Sequence, residues 1–260
     1  MTELWLQGVG ALVTGASQRI GRCLARRLGA LGARVAVHCH HSVEAAGQTA
    51  ADIEAAGGQA AVVVADIAKG AAACRQLVAD AAQAVGPLQI LINNAATFAS
   101  SSLEQLDEQE WSSTMALNLQ GPAFLCQAVA RQLRAAADGE RQGSPSCSRR
   151  GHFIQIADWR ATHPVPGHLA YTLSKAGLVA MTRLLAQELA PEIQVNAIAP
   201  GAILPPPGAD DSHLDALRHR IPLRHTGRPA DIADAMEYLL RSSFVTGEVL
   251  HVTGGQQLLG

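Results

Sequence analysis

The sequence predicts an α/β fold: a single doubly wound domain over residues 1–260, with helices on both faces of a seven-stranded, mainly parallel sheet. Three observations lead there. Seven short apolar runs recur along the chain. They are nearly continuous in apolar residues rather than alternating, as strands buried on both faces should be. Between them lie longer stretches with helical periodicity, and no internal repeat is present.

In chain order, the first strand is "GALVTG" (10–15), and Ile20, Leu24, Leu28 and Leu31 then fall on one helical face. Strands follow at "RVAVH" (34–38), "AAVVVAD" (60–66), "LQILINNA" (88–95) and "HFIQIAD" (152–158). A long helix then carries Leu178, Met181, Leu185 and Leu189 on one face, before the strands "IQVNAIAP" (193–200) and "EVLHVTGG" (248–255). The polar stretch "DGERQGSPSCSRRG" (138–151) breaks this rhythm and reads as a mobile surface loop, with a recognition arm as the alternative.

Bulk properties narrow the function. Apolar residues make up 48% of the chain, enough for a sizeable core without disulfides. A net charge of −2 gives no electrostatic case for nucleic acid or an anionic membrane as partner. The five cysteines (23, 39, 74, 126, 147) are odd in number and lack any C-x-x-C, which points to reduced thiols in a cytoplasmic protein. The N-terminus has no basic region and reaches a glycine turn too soon for a signal peptide. No apolar run is long enough to span a bilayer.

"TGASQRIG" (14–21) follows a strand and opens a helix, the context in which a glycine-rich turn is informative. Gly15 permits a sharp turn, Gly21 permits close helix–strand packing, and the helix N-terminus between them favours a pyrophosphate. "ADI" (65–67) and "NNAA" (93–96) end the next strands at matching spacing, which together suggests a Rossmann-type dinucleotide site. At the end of the second strand, "HCHHS" (38–42) offers no acid for a ribose hydroxyl before Glu44. Histidines and Ser42 suit a 2′-phosphate better, so NADPH is the expected cofactor. His38, His40 and His41 also raise a metal site, but no cysteine or carboxylate pattern completes one, and none is predicted.

The chain has only two tyrosines and two lysines, and one of each meets in "YTLSK" (171–175). Independent placement would give that helical i, i+4 spacing with a probability of roughly 1–2%. An ammonium one turn from a phenol favours phenolate. Thirteen residues before Tyr171, however, stands Asp158. A carboxylate there repels an alkoxide formed from a ketone and raises the phenol's pKa. It suits a neutral Tyr171 that protonates nitrogen as hydride reduces C=N, with Asp158 resupplying the proton. Asp158 would equally serve as a helix or loop cap.

These motifs resemble the short-chain dehydrogenases, and more closely their pteridine reductases. "TGASQRIG" is similar to that group's T-G-x-x-x-R-x-G, "HCHHS" to H-x-H-R-S, "NNAATF" to N-N-A-S-x-F, and Asp158…Tyr171-x-x-x-Lys175 to D…Y-x-x-x-K. Most short-chain dehydrogenases carry Gly at Arg19 and Ser at Asp158. The resemblance runs from residue 8 to the C-terminal "VTGEVLHVTGG".

It implies a catalytic set of Asp158, Tyr171, Lys175 and Asn118, with Asn118 anchoring Lys175 through water; a helix kink is the other role open to that Asn. Cofactor contacts are implied for Gly15, Ser17, Arg19 and Ile20 in the turn, and for His38, His40, His41 and Ser42. Further contacts are implied for Asp66 and Ile67, for Asn94, Ala95 and Ala96, for Tyr171 and Lys175, and for Pro200, Gly201 and Ile203. Substrate contacts fall to Arg19, Phe98, Asp158, Tyr171 and Leu204, with Phe98 stacked on a pterin; Arg19 as a plain surface residue and Phe98 as ordinary core are the alternatives. The segment 201–222 would cover the substrate, its run of three prolines (205–207) stiffening one wall. His41 and Ala96 depart from the group's usual Arg and Ser, which puts NADPH affinity and one hydrogen bond in question.

The expected activity is NADPH-dependent reduction of a dihydropterin or dihydrofolate by a homotetramer. A short-chain carbonyl reductase and a non-enzymatic NADP(H) sensor are the rivals.

Overall fold

A computed structural model describes residues 4–140, 151–205 and 212–258. Seven strands, β1 (Gly10–Val13), β2 (Arg34–Cys39), β3 (Gln59–Val64), β4 (Leu88–Asn93), β5 (Gly151–Ile156), β6 (Ile193–Pro200) and β7 (Val249–Val252), form one sheet in the order β3-β2-β1-β4-β5-β6-β7. Every neighbouring pair is parallel, so the sheet is wholly rather than mainly parallel. The winding reverses between β1 and β4, which opens a crevice at their carboxyl ends.

The helices are α1 (Arg19–Ala30), α2 (Val43–Ala55), α3 (Ala71–Val85), α4 (Glu108–Met115), α5 (Gly121–Glu140), α6 (Leu169–Glu188), α7 (Ser212–Leu217) and α8 (Pro229–Arg241). Alternate side chains of each central strand go to opposite layers. Val13, Val35, Val37 and Ile92 pack with Leu24, Leu28, Ile53, Ile232 and Met236 of α1, α2 and α8. Leu12, Ala36 and Leu91 pack with Leu77, Leu125 and Val129 of α3 and α5, around the fully buried Phe153. Deleting a ring so enclosed costs about 3–5 kcal/mol.

Two expectations are corrected by position in the sheet. β3 is an edge strand: only Val63 of its six residues is buried, and Val64 is exposed. In α6, Leu178 and Leu189 are buried, but Met181 and Leu185 are only partly so. Beside Leu178 and Val179 the buried face carries Tyr171, Thr172, Ser174, Lys175 and Thr182, so this helix turns polar side chains inward along with apolar ones. Leu24 and Leu28 of α1 and Leu31, which caps its end, are buried, and Ile20 packs against the same cluster, as the periodicity requires.

Of the stretch 138–151, residues 138–140 end α5 and Gly151 begins β5, while 141–150 lie outside the described residues. In 201–222, residues 206–211 lie outside them. Cys23, Cys39, Cys74 and Cys126 are free thiols, and Cys147 lies outside the described residues. No described helix is long and apolar enough to cross a membrane.

Candidate active site

The glycine turn leaves β1 at its carboxyl end and enters α1. Gly15 has φ +60°, in the left-handed region, and a Cβ there would crowd Ala95 at 3.0 Å. Gly21 lets the first turn of α1 approach the Gly15 carbonyl and the Asn94 amide, where any Cβ would collide. Thr14, directly before the turn, accepts from the backbone N–H of Asn94 (2.9 Å) and Ala95 (3.0 Å) through Oγ1. Asn94 returns two bonds from Nδ2, to the carbonyls of Thr14 (2.9 Å) and Gly15 (3.0 Å). Its amide therefore braces the turn instead of reaching outward.

His38 is corrected in the same way. Its ring is 2% exposed, Nδ1 accepts from the Gly15 N–H (3.2 Å), and Nε2 donates to the Ala65 carbonyl (3.1 Å). Both nitrogens are spent on backbone, so neither remains for a phosphate. Burial pushes its pKa down to about 4 and keeps the imidazole neutral.

A cleft of about 320 Å³ opens beside this turn, lined by Gly15, Ser17, Arg19, Ile20, His38, His40, Asp66, Ile67 and Asn94 to Ala96 among others. The N-terminus of α1 has no side-chain cap and no acid in its first turn, leaving N–H groups for an anion. At β2's end, His40, His41 and Ser42 are exposed, and Ser42 does not cap α2. His40 stacks near His41 (centroids 3.5 Å apart) and stands 3.8 Å from Asp66. Asp66 itself caps a short helical turn, and the Ile67 side chain is buried beneath it. The uncapped start of α1 lines this cleft, and the uncapped start of α2 follows two residues after His40, which also lines it. That arrangement fits a dinucleotide with a pyrophosphate and a further phosphate.

Arg19 sits at φ +55°, a conformation costing a non-glycine residue roughly 1–2 kcal/mol. Its exposed guanidinium donates from Nη2 to the Pro205 carbonyl (2.6 Å), tying the turn to the segment after β6. Along that segment, Pro200 and Ile203 are buried, Ile203 in the core with Leu204 packed against it, and Gly201 meets Thr253 too closely for a side chain.

On the other side of the crevice, Asp158 leaves β5 and caps the turn Trp159–Ala161. Its Oδ1 accepts from the Arg160 N–H (2.8 Å), and its Oδ2 accepts from the Tyr171 hydroxyl (2.8 Å). The cap and the phenol partner are thus two oxygens of one carboxylate. Burial first, then the Asp158 charge and hydrogen bond, hold the Tyr171 phenol well above its ordinary range, with Arg160 opposing. The expected lowering by Lys175 does not prevail. Its Nζ lies 5.8 Å from the Tyr171 ring and donates to the Ile156 carbonyl (2.7 Å); burial brings it down to about 8.

Asn118 lies in a π-helical stretch, Ala116–Gln120, of the kind that marks functional sites. Its Oδ1 accepts from Thr97 N–H (2.9 Å), and its Nδ2 donates to the Thr97 carbonyl and Ser174 Oγ (both 3.1 Å). It anchors the helix next to Lys175 through Ser174.

Phe98 is 38% exposed, so it is no core residue. Its centroid lies 4.4 Å from His168, stacked, and 4.7 Å from Tyr171, at its edge; His168 and Tyr171 are 6.4 Å apart. These distances make a nearly right-angled triangle at Phe98, with His168 backing one face and Tyr171 beside the rim. His168 is fixed by Nδ1 to the Ala99 carbonyl (2.9 Å). Sequence reasoning missed His168 and Arg160. The signals were their places: one opens the helix of Tyr171, the other sits two residues after Asp158.

Among the described residues, no three His, Cys, Asp or Glu converge as a metal set. A model of the family described as Enoyl-(Acyl carrier protein) reductase matches residues 15–257. The Granaticin polyketide synthase putative ketoacyl reductase 2 of Streptomyces violaceoruber is 34% identical, over 96% of this chain and 96% of that one. The 3-oxoacyl-[acyl-carrier-protein] reductase FabG of Staphylococcus epidermidis is 32% identical, over 95% of this chain and 98% of that one. Among solved structures, FolM Alternative dihydrofolate reductase 1 from Brucella canis, complexed with NADP, superposes with a TM-score of 0.88. It is 31% identical, over 98% of this chain and 96% of that one.

Proposed function

The chain belongs to the short-chain dehydrogenase/reductase family, and on that premise we propose that it is an NADPH-dependent reductase of a dihydropterin or dihydrofolate. The observation that carries this reading is the 2.8 Å hydrogen bond from Tyr171 to Asp158, where most of the family has a serine hydroxyl. The likeness to the NADP-bound Brucella canis structure supports both the cofactor and the substrate class.

Bound NADPH would supply a hydride to the carbon of a ring C=N. Gly15, Ser17 and the uncapped start of α1 would hold its pyrophosphate, and His40, His41 and Ser42 its 2′-phosphate. Tyr171, kept neutral by burial and by Asp158, donates its proton to the ring nitrogen, so the C=N becomes CH–NH. Asp158 is the group through which the phenol is reprotonated. Lys175, in its ammonium form, offsets the charge left on the phenolate and would hold the nicotinamide ribose. Phe98 would stack on the flat ring, backed by His168.

The test is consumption of NADPH by the purified protein against dihydrobiopterin, dihydromonapterin and dihydrofolate, with NADH as control and a ketone panel alongside. Turnover of simple ketones with none of the pterins would sink the reading. A second reading, a ketoacyl reductase, is favoured by one observation besides the relatives' names. Arg160 Nη1 stands 3.5 Å from Asp158 and offsets the carboxylate that would otherwise repel an alkoxide.

A homotetramer is proposed on the apolar surfaces. Trp111, Met115, Leu119 and Met181 line an open groove on α4 to α6, and Tyr238, Phe244 and Leu258 stand exposed near the carboxyl end. Light scattering on the eluted protein decides it; a monomer mass refutes it.

A further inference from the structure

Arg160 stands among Asp158, Trp159 and Phe98, and its only described ion pair is a long one. Its Cζ lies 5.2 Å from the Trp159 ring and 5.7 Å from the Phe98 ring, and its side chain is 24% exposed. Nε is buried with no hydrogen-bond partner. Nη1 is 3.5 Å from Asp158 Oδ1, longer than the ~2.8 Å of a charge-assisted bond. A rigid fork with one buried donor unpartnered, and only a long ion pair on another, has donor capacity to spare.

The placement says which further acceptor would suit it. The Tyr171 hydroxyl bonds one oxygen of the Asp158 carboxylate and the Arg160 guanidinium lies 3.5 Å from the other, so both donors border one side chain, and both residues neighbour the Phe98 ring. Asp158 already offsets the guanidinium charge, so the pair offers no net positive charge to an anion and suits a neutral oxygen. In a dihydropterin, the imine nitrogen has such an oxygen beside it, the 4-oxo group across the ring fusion.

We propose that Arg160 is a specificity-determining residue that donates to the 4-oxo oxygen of the substrate while Tyr171 protonates the adjacent ring nitrogen. This rests on the proposed pterin reduction. It predicts that the pocket distinguishes a 4-oxo ring from a 4-amino ring through one side chain.

The experiment measures binding of biopterin and of 2,4-diaminopteridine to the NADPH-loaded native protein, Arg160→Gln and Arg160→Lys, together with NADPH affinity and melting temperature. Loss of a hydrogen bond to a charged donor gives a roughly 10–100-fold weakening for biopterin in Arg160→Gln. The diamino compound, which has no oxygen there, changes less than threefold, and NADPH affinity is kept. Arg160→Lys falls between and serves as the measure if the Gln variant does not fold. Equal losses for both probes, or none, overturn the assignment of Arg160 while native dihydropterin turnover leaves the proposed function standing. A native protein that neither binds the probes nor turns over dihydropterins overturns both.

Discussion

The backbone N–H of Gly15 donates to Nδ1 of His38 at 3.2 Å, and the other nitrogen of the same ring holds the Ala65 carbonyl at 3.1 Å. One buried imidazole therefore joins the carboxyl ends of β1, β2 and β3 beneath the cofactor cleft. It does so only when Nδ1 is unprotonated.

That makes stability depend on pH with a defined sign. His38 titrates near 6.5 unfolded and near 4 folded, so the unfolded chain binds more protons between those values. Its contribution is whole above about pH 6.5 and is lost as pH falls towards 4, amounting to about 3 kcal/mol at ~1.4 kcal/mol per unit. Urea midpoints of the native protein and His38→Gln, compared from pH 7.5 to 4 in ~0.5-unit steps, should converge as acid is added. Parallel curves would remove His38 from this role.

Asp158→Asn keeps an acceptor for the Arg160 N–H while deleting the charge on Tyr171. The phenol pKa should fall towards its ordinary value, readable by ultraviolet titration because Tyr238, the other tyrosine, is exposed. Dihydropterin reduction should drop by roughly 10²–10⁴-fold. Asp158→Ser should gain ketone reduction at the expense of pterins; a variant that loses both in proportion speaks for a purely structural aspartate.

Lys175 is cationic below a pKa of about 8, so a rate that needs its ammonium should decline as pH rises through that value. The decline should appear as a single ionisation in kcat. In Lys175→Met the residual rate should be low and its alkaline limb flat. An alkaline limb preserved in that variant would assign it elsewhere.

Phe98→Leu removes an aromatic face without opening the core, since the side chain is 38% exposed. The stacking contribution of about 0.5–1.5 kcal/mol corresponds to a roughly 3–10-fold rise in KM for a pterin. The melting temperature should change little. An unchanged KM would place the flat substrate away from this ring.

Legibility followed the distance over which a residue finds its partner. Gly15 and Gly21, the Tyr171–Lys175 pair and the thirteen-residue step from Asp158 to Tyr171 are local patterns, and the structure brings Asp158 and Tyr171 into contact. His38, Asn94 and Asn118 stand where contact with cofactor or lysine was expected. Their polar atoms are largely spent on backbone 21 to 80 residues away. The predicted strand 34–38 sets His38 apart from His40 and His41 by position, but it does not show that both ring nitrogens bond backbone of neighbouring strand ends.

By itself, the sequence determined the strand–helix alternation, the glycine turn and the placing of an acid beside the only buried phenol, because periodicity and short spacings act through the neighbouring backbone. Tertiary structure alone decided that both nitrogens of His38 bond backbone, which strands lie at the edge, and that a guanidinium two residues along tempers the Asp158 charge. Those outcomes depend on which groups are left without a hydrogen-bond partner once the layers close, and a buried polar atom takes whatever the fold brings within reach.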